Sequence, residues 1–324
     1  MPAKDPKNLP RPTNSRDEIV RCLAAGGTVR VVAAVTTDTA REAARRHGAV
    51  GNAAVALARG ATAGLLLATL TKDEERLTLQ VLGDGPLGGV TVDARSSGGV
   101  RAYLKNPTAK LPVVGRSAAG RAPLGPTVGR NGVVSVIRDL GLRDTFSGQT
   151  SLVTGEIDTD VEHYLNVSEQ IDSALGCEAI LAATGGPESE VTFSGGVLIQ
   201  ALPGGGTALV EHARQQLREG ALLRALGQGD DPLGAEALAR AVLAGATTDV
   251  QVLDARPVRF ECQCSRARAT DSLSMLGSAE LAAMIIEDGK AEVTCNFCRE
   301  RYDFSESDLE TIRRETQKPT GLPS

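Results

Sequence analysis

Tryptophan is absent from this chain of 324 residues, and only three tyrosines and five phenylalanines stand beside that absence. A core with so few aromatic rings must be built from Leu, Val, Ile and Ala, which suffices at this length. Histidine is nearly as scarce. His47, His163 and His212 lie far apart in sequence, and nothing suggests a Ser/His/Asp or Cys/His nucleophile. No Walker loop is present, so no ATP site is indicated. Long basic runs are missing and the formal net charge is −5. That balance argues against nucleic-acid partners, because duplex binding needs Lys and Arg to neutralise phosphates. The longest apolar stretch, residues 64–70, is far too short for a bilayer, so no membrane role is expected. Residues 1–16 are polar and Pro-rich, without the apolar core of a secretory signal. The expectation is a soluble, cytoplasmic protein.

What is present is concentrated near the end. Cys262-Gln263-Cys264 is followed, after thirty residues, by Cys295-Asn296-Phe297-Cys298. Two close thiol pairs around a short folded segment form a tetrahedral metal site when reduced and two local disulfides when oxidised. In a reducing compartment clustered cysteines bind metal or sense redox state. Zinc favours four thiolates at about 2.3 Å. Zinc-bound cysteine is deprotonated, and the thiolate is the oxidisable form. In the CxC half the sulfurs already lie close, so oxidation closes a small ring with little rearrangement. Arg266, Arg268, Arg299 and Arg301 flank the ligands and are candidates to balance their negative charge. Cys22 and Cys177 are isolated and read as small buried apolar residues.

The patterns along the chain divide it into five parts. Residues 1–16 are expected to be a disordered extension. Residues 17–206 read as an α+β domain with a largely antiparallel sheet. It opens with helix, strand, helix, helix. The strand is 28–35, Thr37-Asp38-Thr39 caps the next helix, and 51–70 is a mostly apolar, buried helix. Strand runs follow at 77–82, 89–94, 132–137, 151–156 and 191–202, with a helix over 158–175. Gly83-Asp84-Gly85-Pro86-Leu87-Gly88 matches a dinucleotide-binding pattern in form only. Pro86 and the strand-like residues after it imply a β-turn rather than a helix start.

Residues 207–257 are Ala- and Leu-rich, with helices at 208–227 and 233–244 interrupted by Gly220, Gly227, Gly229, Pro232, Gly234 and Gly245. An interior glycine costs about 1 kcal/mol relative to Ala. This linker is therefore expected to be metastable, and its apolar positions include Leu217, Leu222 and Leu226. Residues 258–314 form a small module, with a helix at 278–286, strands at 291–294 and 301–304, and a capping box at Ser307-Asp308-Leu309-Glu310. So small a unit needs a staple. Residues 315–324 read as a disordered tail.

These residues closely resemble the bacterial redox-regulated holdase chaperones called heat shock protein 33. The strongest match is Phe260-Glu261-Cys262-Gln263-Cys264-Ser265-Arg266 with residues 287–298. Residues 83–89, 101–107, 139–149, 168–170 and 195–200 extend it, so that it covers roughly 17–314. The resemblance implies that Cys262, Cys264, Cys295 and Cys298 hold one zinc ion in a quiet, reduced monomer. Peroxide with heat, or hypochlorous acid, would form the disulfides Cys262–Cys264 and Cys295–Cys298 and release zinc. The module would unfold and the linker would lose its support. The oxidised homodimer would bind unfolding client proteins without ATP and later pass them to an ATP-dependent foldase system. No enzyme activity is implied. Family members often carry an acidic residue or His where this chain has Asn296, which is not a ligand position.

Two other classes were open on the residues alone. A nucleic-acid module with a structural zinc ribbon would need a basic, aromatic-bearing face, and the composition lacks one. A thiol oxidoreductase using Cys295 and Cys298 would place them at a helix N-terminus within a βαβ unit.

Overall fold

The computed structural model describes residues 17–71, 75–112, 115–139, 145–182, 190–226 and 233–317. The 1–16 extension, linker residues Gly227, Gly229 and Pro232, residues 140–144 and residues 318–324 lie outside it. The chain forms an α+β fold in two compact units, Met1–Glu261 and Cys262–Ser324.

In the first unit, β1 (Glu18–Ala24) and β2 (Val29–Val35) form a hairpin. The sequence reads 17–27 as a helix, and the structure corrects this. Val20, Cys22 and Ala24 alternate onto one buried face, the period of a strand. α1 (Thr37–His47) follows. Its first amides are not capped by its own threonines. The Asp17 carboxylate accepts from Asp38 N at 3.1 Å and Thr39 N at 2.7 Å instead.

α2 (Asn52–Ala68) is the buried helix that the sequence predicts, and every residue from Ala53 to Ala68 is buried. A helix apolar on all sides needs cover on all sides. Two sheets provide it. One has the order β10-β1-β2-β9-β8, with β8 (Ser173–Leu181), β9 (Val191–Ala201) and β10 (Val250–Pro257). The other has the order β11-β5-β4-β3-β6-β7. Its strands are β3 (Arg76–Gly83), β4 (Val90–Arg95), β5 (Gly99–Leu104), β6 (Gly132–Asp139), β7 (Thr145–Ser151) and β11 (Arg259–Phe260), with the short helix α3 (Gly125–Val128) between β5 and β6. All pairings are antiparallel except β11 with β5. α2 packs on β4 and β5 from one side and on β8 and β9 from the other. Gly60 and Gly64 permit this. A Cβ at Gly64 would lie 2.6 Å from Val92 Cγ1, and one at Gly60 would lie 2.9 Å from Val90 Cγ2.

Two further expectations change. β7 ends at Ser151, and residues 152–156 turn into α4 (Ile157–Val167). There the Asp160 carboxylate accepts from the amides of Val153, Thr154 and Gly155 at 2.7–3.1 Å, which holds a turn rather than a strand. α4 stops at Val167 rather than 175, and Gln170 takes φ +56° before β8 begins at Ser173. The glycine-rich 83–88 segment joins β3 to β4 and opens no helix.

Residues 207–257 contain α5 (Thr207–Arg218), α6 (Ala221–Leu226), α7 (Ala235–Leu243) and then β10. The final strand is absent from the sequence reading. The helices cover the outer face of the β1-containing sheet. Leu209, Val210, Leu217, Leu222, Leu238 and Val242 close over Val20, Val31, Val197 and Ile199. Leu217 and Leu222 are thus buried, and Leu226 is half-buried.

The second unit holds α8 (Arg266–Ser274), α9 (Ser278–Glu287), the hairpin β12 (Lys290–Thr294) and β13 (Arg301–Ser305), and α10 (Glu306–Thr316). Seven buried side chains make its core: Ala269, Leu273, Leu281, Ala291, Phe304, Leu309 and Ile312. The capping box sits two residues earlier than expected. Ser305 accepts from the Asp308 amide, and Asp308 accepts from the Ser305 amide. Among the described residues no helix is long and apolar enough to cross a membrane.

Candidate metal centre

Two chain segments bring the four cysteines together within the second unit. Cys262 and Cys264 lie on extended chain leading into α8, whose start is fixed by Ser265. Its hydroxyl accepts from Arg268 N at 3.2 Å. Cys295 and Cys298 lie in the turn joining β12 to β13. Cys295 N donates to Glu300 O at 2.9 Å, and Arg299 N donates to Cys295 O at 2.9 Å. Arg299 takes φ +62°, which reverses the chain just after the second thiol.

The side chains converge. All four Sγ atoms lie within 4.8 Å of one another. Cys262 and Cys295 are 3.7 Å apart, and Cys264 and Cys298 are 3.2 Å apart. A tetrahedron with arms of about 2.3 Å has edges of about 3.8 Å. The sulfurs therefore have the spacing and donor chemistry for one closed thiolate site, and each segment supplies one member of each close pair. Four cysteines this close could hold a metal ion. Cys298 is buried and the other three are half-buried.

Crowding opposes ionisation of Cys264 and Cys298. The sulfurs of Cys262 and Cys295, then burial, push the Cys298 thiol up. Burial first, and then the neighbouring charges of Cys262 and Cys295, push Cys264 up. Coordination to a cation reverses this tendency, because a metal-bound thiol is deprotonated outright. Tyr302, which the sequence reading did not single out, donates its hydroxyl to Cys264 Sγ at 3.2 Å. The expected charge balance by four arginines is only partly realised. Arg266 pairs with Asp308 at 3.1 Å and lies 4.4 Å over the Phe304 ring, and Arg301 pairs with Glu292. Both are committed to carboxylates. Arg268 and Arg299 are exposed beside the site.

Cys295 and Cys298 flank a turn between strands, not a helix N-terminus, so the thiol-oxidoreductase geometry is not realised. Cys22 and Cys177 are fully buried in separate parts of the first unit, and burial pushes both thiols up.

One cluster escaped the sequence reading. Arg59, in the middle of α2, is completely buried. It donates to Glu178 at 2.8 Å, Ala122 O at 3.0 Å and Glu156 at 3.4 Å. Arg121 joins Asp158 at 2.5 Å and also pairs with Glu178. Burial raises Asp158, but Arg121, Arg59 and the Cys177 amide outweigh it and hold the carboxyl below its usual range. The available signal was one arginine interrupting an apolar helical run. Its carboxylate partners are about a hundred residues away in sequence and could not be read.

Comparison with known proteins agrees with this architecture. The Hsp33 protein family model matches residues 17–305. The chain belongs to the Hsp33 family. Its relatives include proteins named "33 kDa chaperonin" from Listeria monocytogenes and Bacillus subtilis. Each is 37% identical over 302 residues and covers 93% of this chain, with 99% and 100% of the relative covered. The crystal structure of the Hsp33 homologue from Thermotoga maritima matches with a TM-score of 0.79 and 29% identity. It covers 93% of this chain and 99% of that one. The matched Hsp33 region includes all four clustered cysteines.

Proposed function

We propose that this chain is an ATP-independent holdase chaperone of the cytoplasm, held quiet by one zinc ion and switched on by thiol oxidation. The convergence of four sulfurs within 4.8 Å, in a chain of this family, carries the proposal. Cys262, Cys264, Cys295 and Cys298 would be the ligands. Bound zinc would supply folding free energy on the order of 10–16 kcal/mol to such a unit. Seven buried apolar side chains are a small core, and units of this size rarely reach more than about 3–5 kcal/mol alone.

Oxidation removes the ligand set. Cys262 with Cys264, and Cys295 with Cys298, would each as a thiolate pair give two electrons to one peroxide, which takes two protons from solvent and leaves as two waters. The second unit then unfolds and residues 207–257 detach. The apolar sheet face beneath α5–α7, with Val20, Val31, Val197 and Ile199, becomes available to unfolding proteins. Homodimer formation in the oxidised state and client transfer to an ATP-dependent foldase complete the scheme. Catalysis has no part in it.

The test follows zinc release and aggregation suppression together. Reduced protein is treated with peroxide at raised temperature while free zinc is measured, and samples are assayed on a thermally unfolding client. Both signals rise together and are reversed by reductant plus zinc if the switch operates. Zinc loss without client protection would reduce the tetrad to a structural staple.

A further inference from the structure

β10 closes one edge of its sheet almost without burying side chains. It pairs antiparallel with β1 from Glu18↔Pro257 to Ala24↔Val250, with a bulge between Arg21 and Cys22. Of its residues only Val250 is buried, while Val252 and Leu253 are 42% and 61% exposed. The main-chain ladder holds it. The ladder is extended by Ala25 N on Asp249 O at 3.3 Å and Gly26 N on the Asp249 carboxylate at 2.7 Å. The chief side-chain tie is Arg21 Nε on Asp254 at 2.9 Å. Both partners of that tie are about a third exposed, where ion pairs contribute little.

β1 is different in kind. It has β2 on its other side, and Val20, Cys22 and Ala24 lie fully buried beneath the linker helices. A backbone ladder is indifferent to sequence, and an extended segment of another chain can satisfy the same amides and carbonyls. If β10 leaves with residues 207–257, β1 becomes an open edge beside an uncovered apolar face. Natural proteins avoid that combination because it templates pairing with other chains.

We infer that the edge of β1, now filled by β10, is the docking track for clients. This inference rests on the holdase reading above. The occupant is an extended, apolar polypeptide segment that adds antiparallel to β1, as β10 does. Its main chain takes over the ladder, and alternate side chains lie on the outer face with Val20, Cys22 and Val31. β10 is the template for this occupant, because it shows that seven residues can pair there with almost no side-chain burial.

The test uses the oxidised full-length chain, amide hydrogen exchange and two peptides. One peptide carries residues 249–257. The other has the same sequence N-methylated at alternate positions, which removes main-chain donors and leaves the side chains. Oxidation lowers protection of amides within 18–24 by about tenfold or more, and added client restores it. The unmodified peptide competes with client and restores protection, and the methylated one does neither. Suppression of aggregation with amides 18–24 protected throughout, or with both peptides equally effective or equally inert, overturns the docking track and leaves the holdase reading standing. Protection regained on dimerisation without client also overturns it, since β1 would then be filled by a second copy. Failure of the oxidised chain to suppress aggregation at all defeats the holdase reading itself.

Discussion

Leu238→Ala separates the linker from the metal centre. Leu238 is fully buried in α7, in the core that joins the linker helices to the sheet. Removing a buried Leu side chain costs about 2–5 kcal/mol, and a value near 3 shifts an equilibrium by roughly 150-fold. That loss falls mainly on the docked linker, and the four cysteines are untouched. The detached state should rise by the same factor in reduced, zinc-loaded protein. The assay is light scattering of a thermally unfolding client, with reductant present and zinc content measured on the same samples. Leu238→Ala suppresses aggregation at chaperone ratios where the parent does nothing, while retaining its zinc. Leu238→Met, which costs less than about 1.5 kcal/mol, falls between them. A reduced Leu238→Ala protein that melts earlier yet is as inactive as the parent would refute the argument that linker docking restrains activity.

Cys264→Ser weakens zinc binding and leaves Cys262 without its partner, so aggregation protection becomes less dependent on oxidant. Tight zinc and parental oxidant dependence in this variant would show that the Cys264 role is misassigned. Gly64→Ala places a methyl 2.6 Å from Val92 Cγ1 and lowers stability by about 1–3 kcal/mol, read from the denaturation midpoint of the first unit. Asp158→Asn costs about 3 kcal/mol at neutral pH, because Arg121 loses one of its two carboxylate partners in a buried network. The Asp158 carboxyl lies below its unfolded value, so its contribution is complete above the ordinary carboxylate range and is lost as pH falls through the folded value. The stability gap between parent and Asp158→Asn therefore closes as pH falls below the ordinary carboxylate range. A gap unchanged by acid would mean that the carboxylate's charge is not what stabilises the site.

Much of the architecture was legible from local pattern. The 51–70 run declared a helix buried on every side, and α2 occupies that place between two sheets. Cys-x-Cys and Cys-x-x-Cys marked two local thiol pairs, and the fold of the small unit sets one segment against the other so that all four sulfurs lie within 4.8 Å. The small module's helix and hairpin were equally local. Two of the misreadings lie where a distant partner decides, whereas the 152–156 turn and the Ser305 capping box are local. Residues 18–24 are a strand because β2 and β10 lie on either side, and β10 is more than two hundred residues downstream. Asp17 rather than a threonine caps α1, since the chain entering β1 passes the helix start.

Sequence alone marked the four clustered thiols and the buried apolar helix, because these depend on neighbours within a few residues. Tertiary structure decided that the linker helices roof an apolar sheet, that Arg59 is neutralised by Glu178, and that β10 seals the edge of β1. Those outcomes depend on which distant surfaces meet. Burial and main-chain pairing select among many locally acceptable partners, and no periodicity within one segment records the choice.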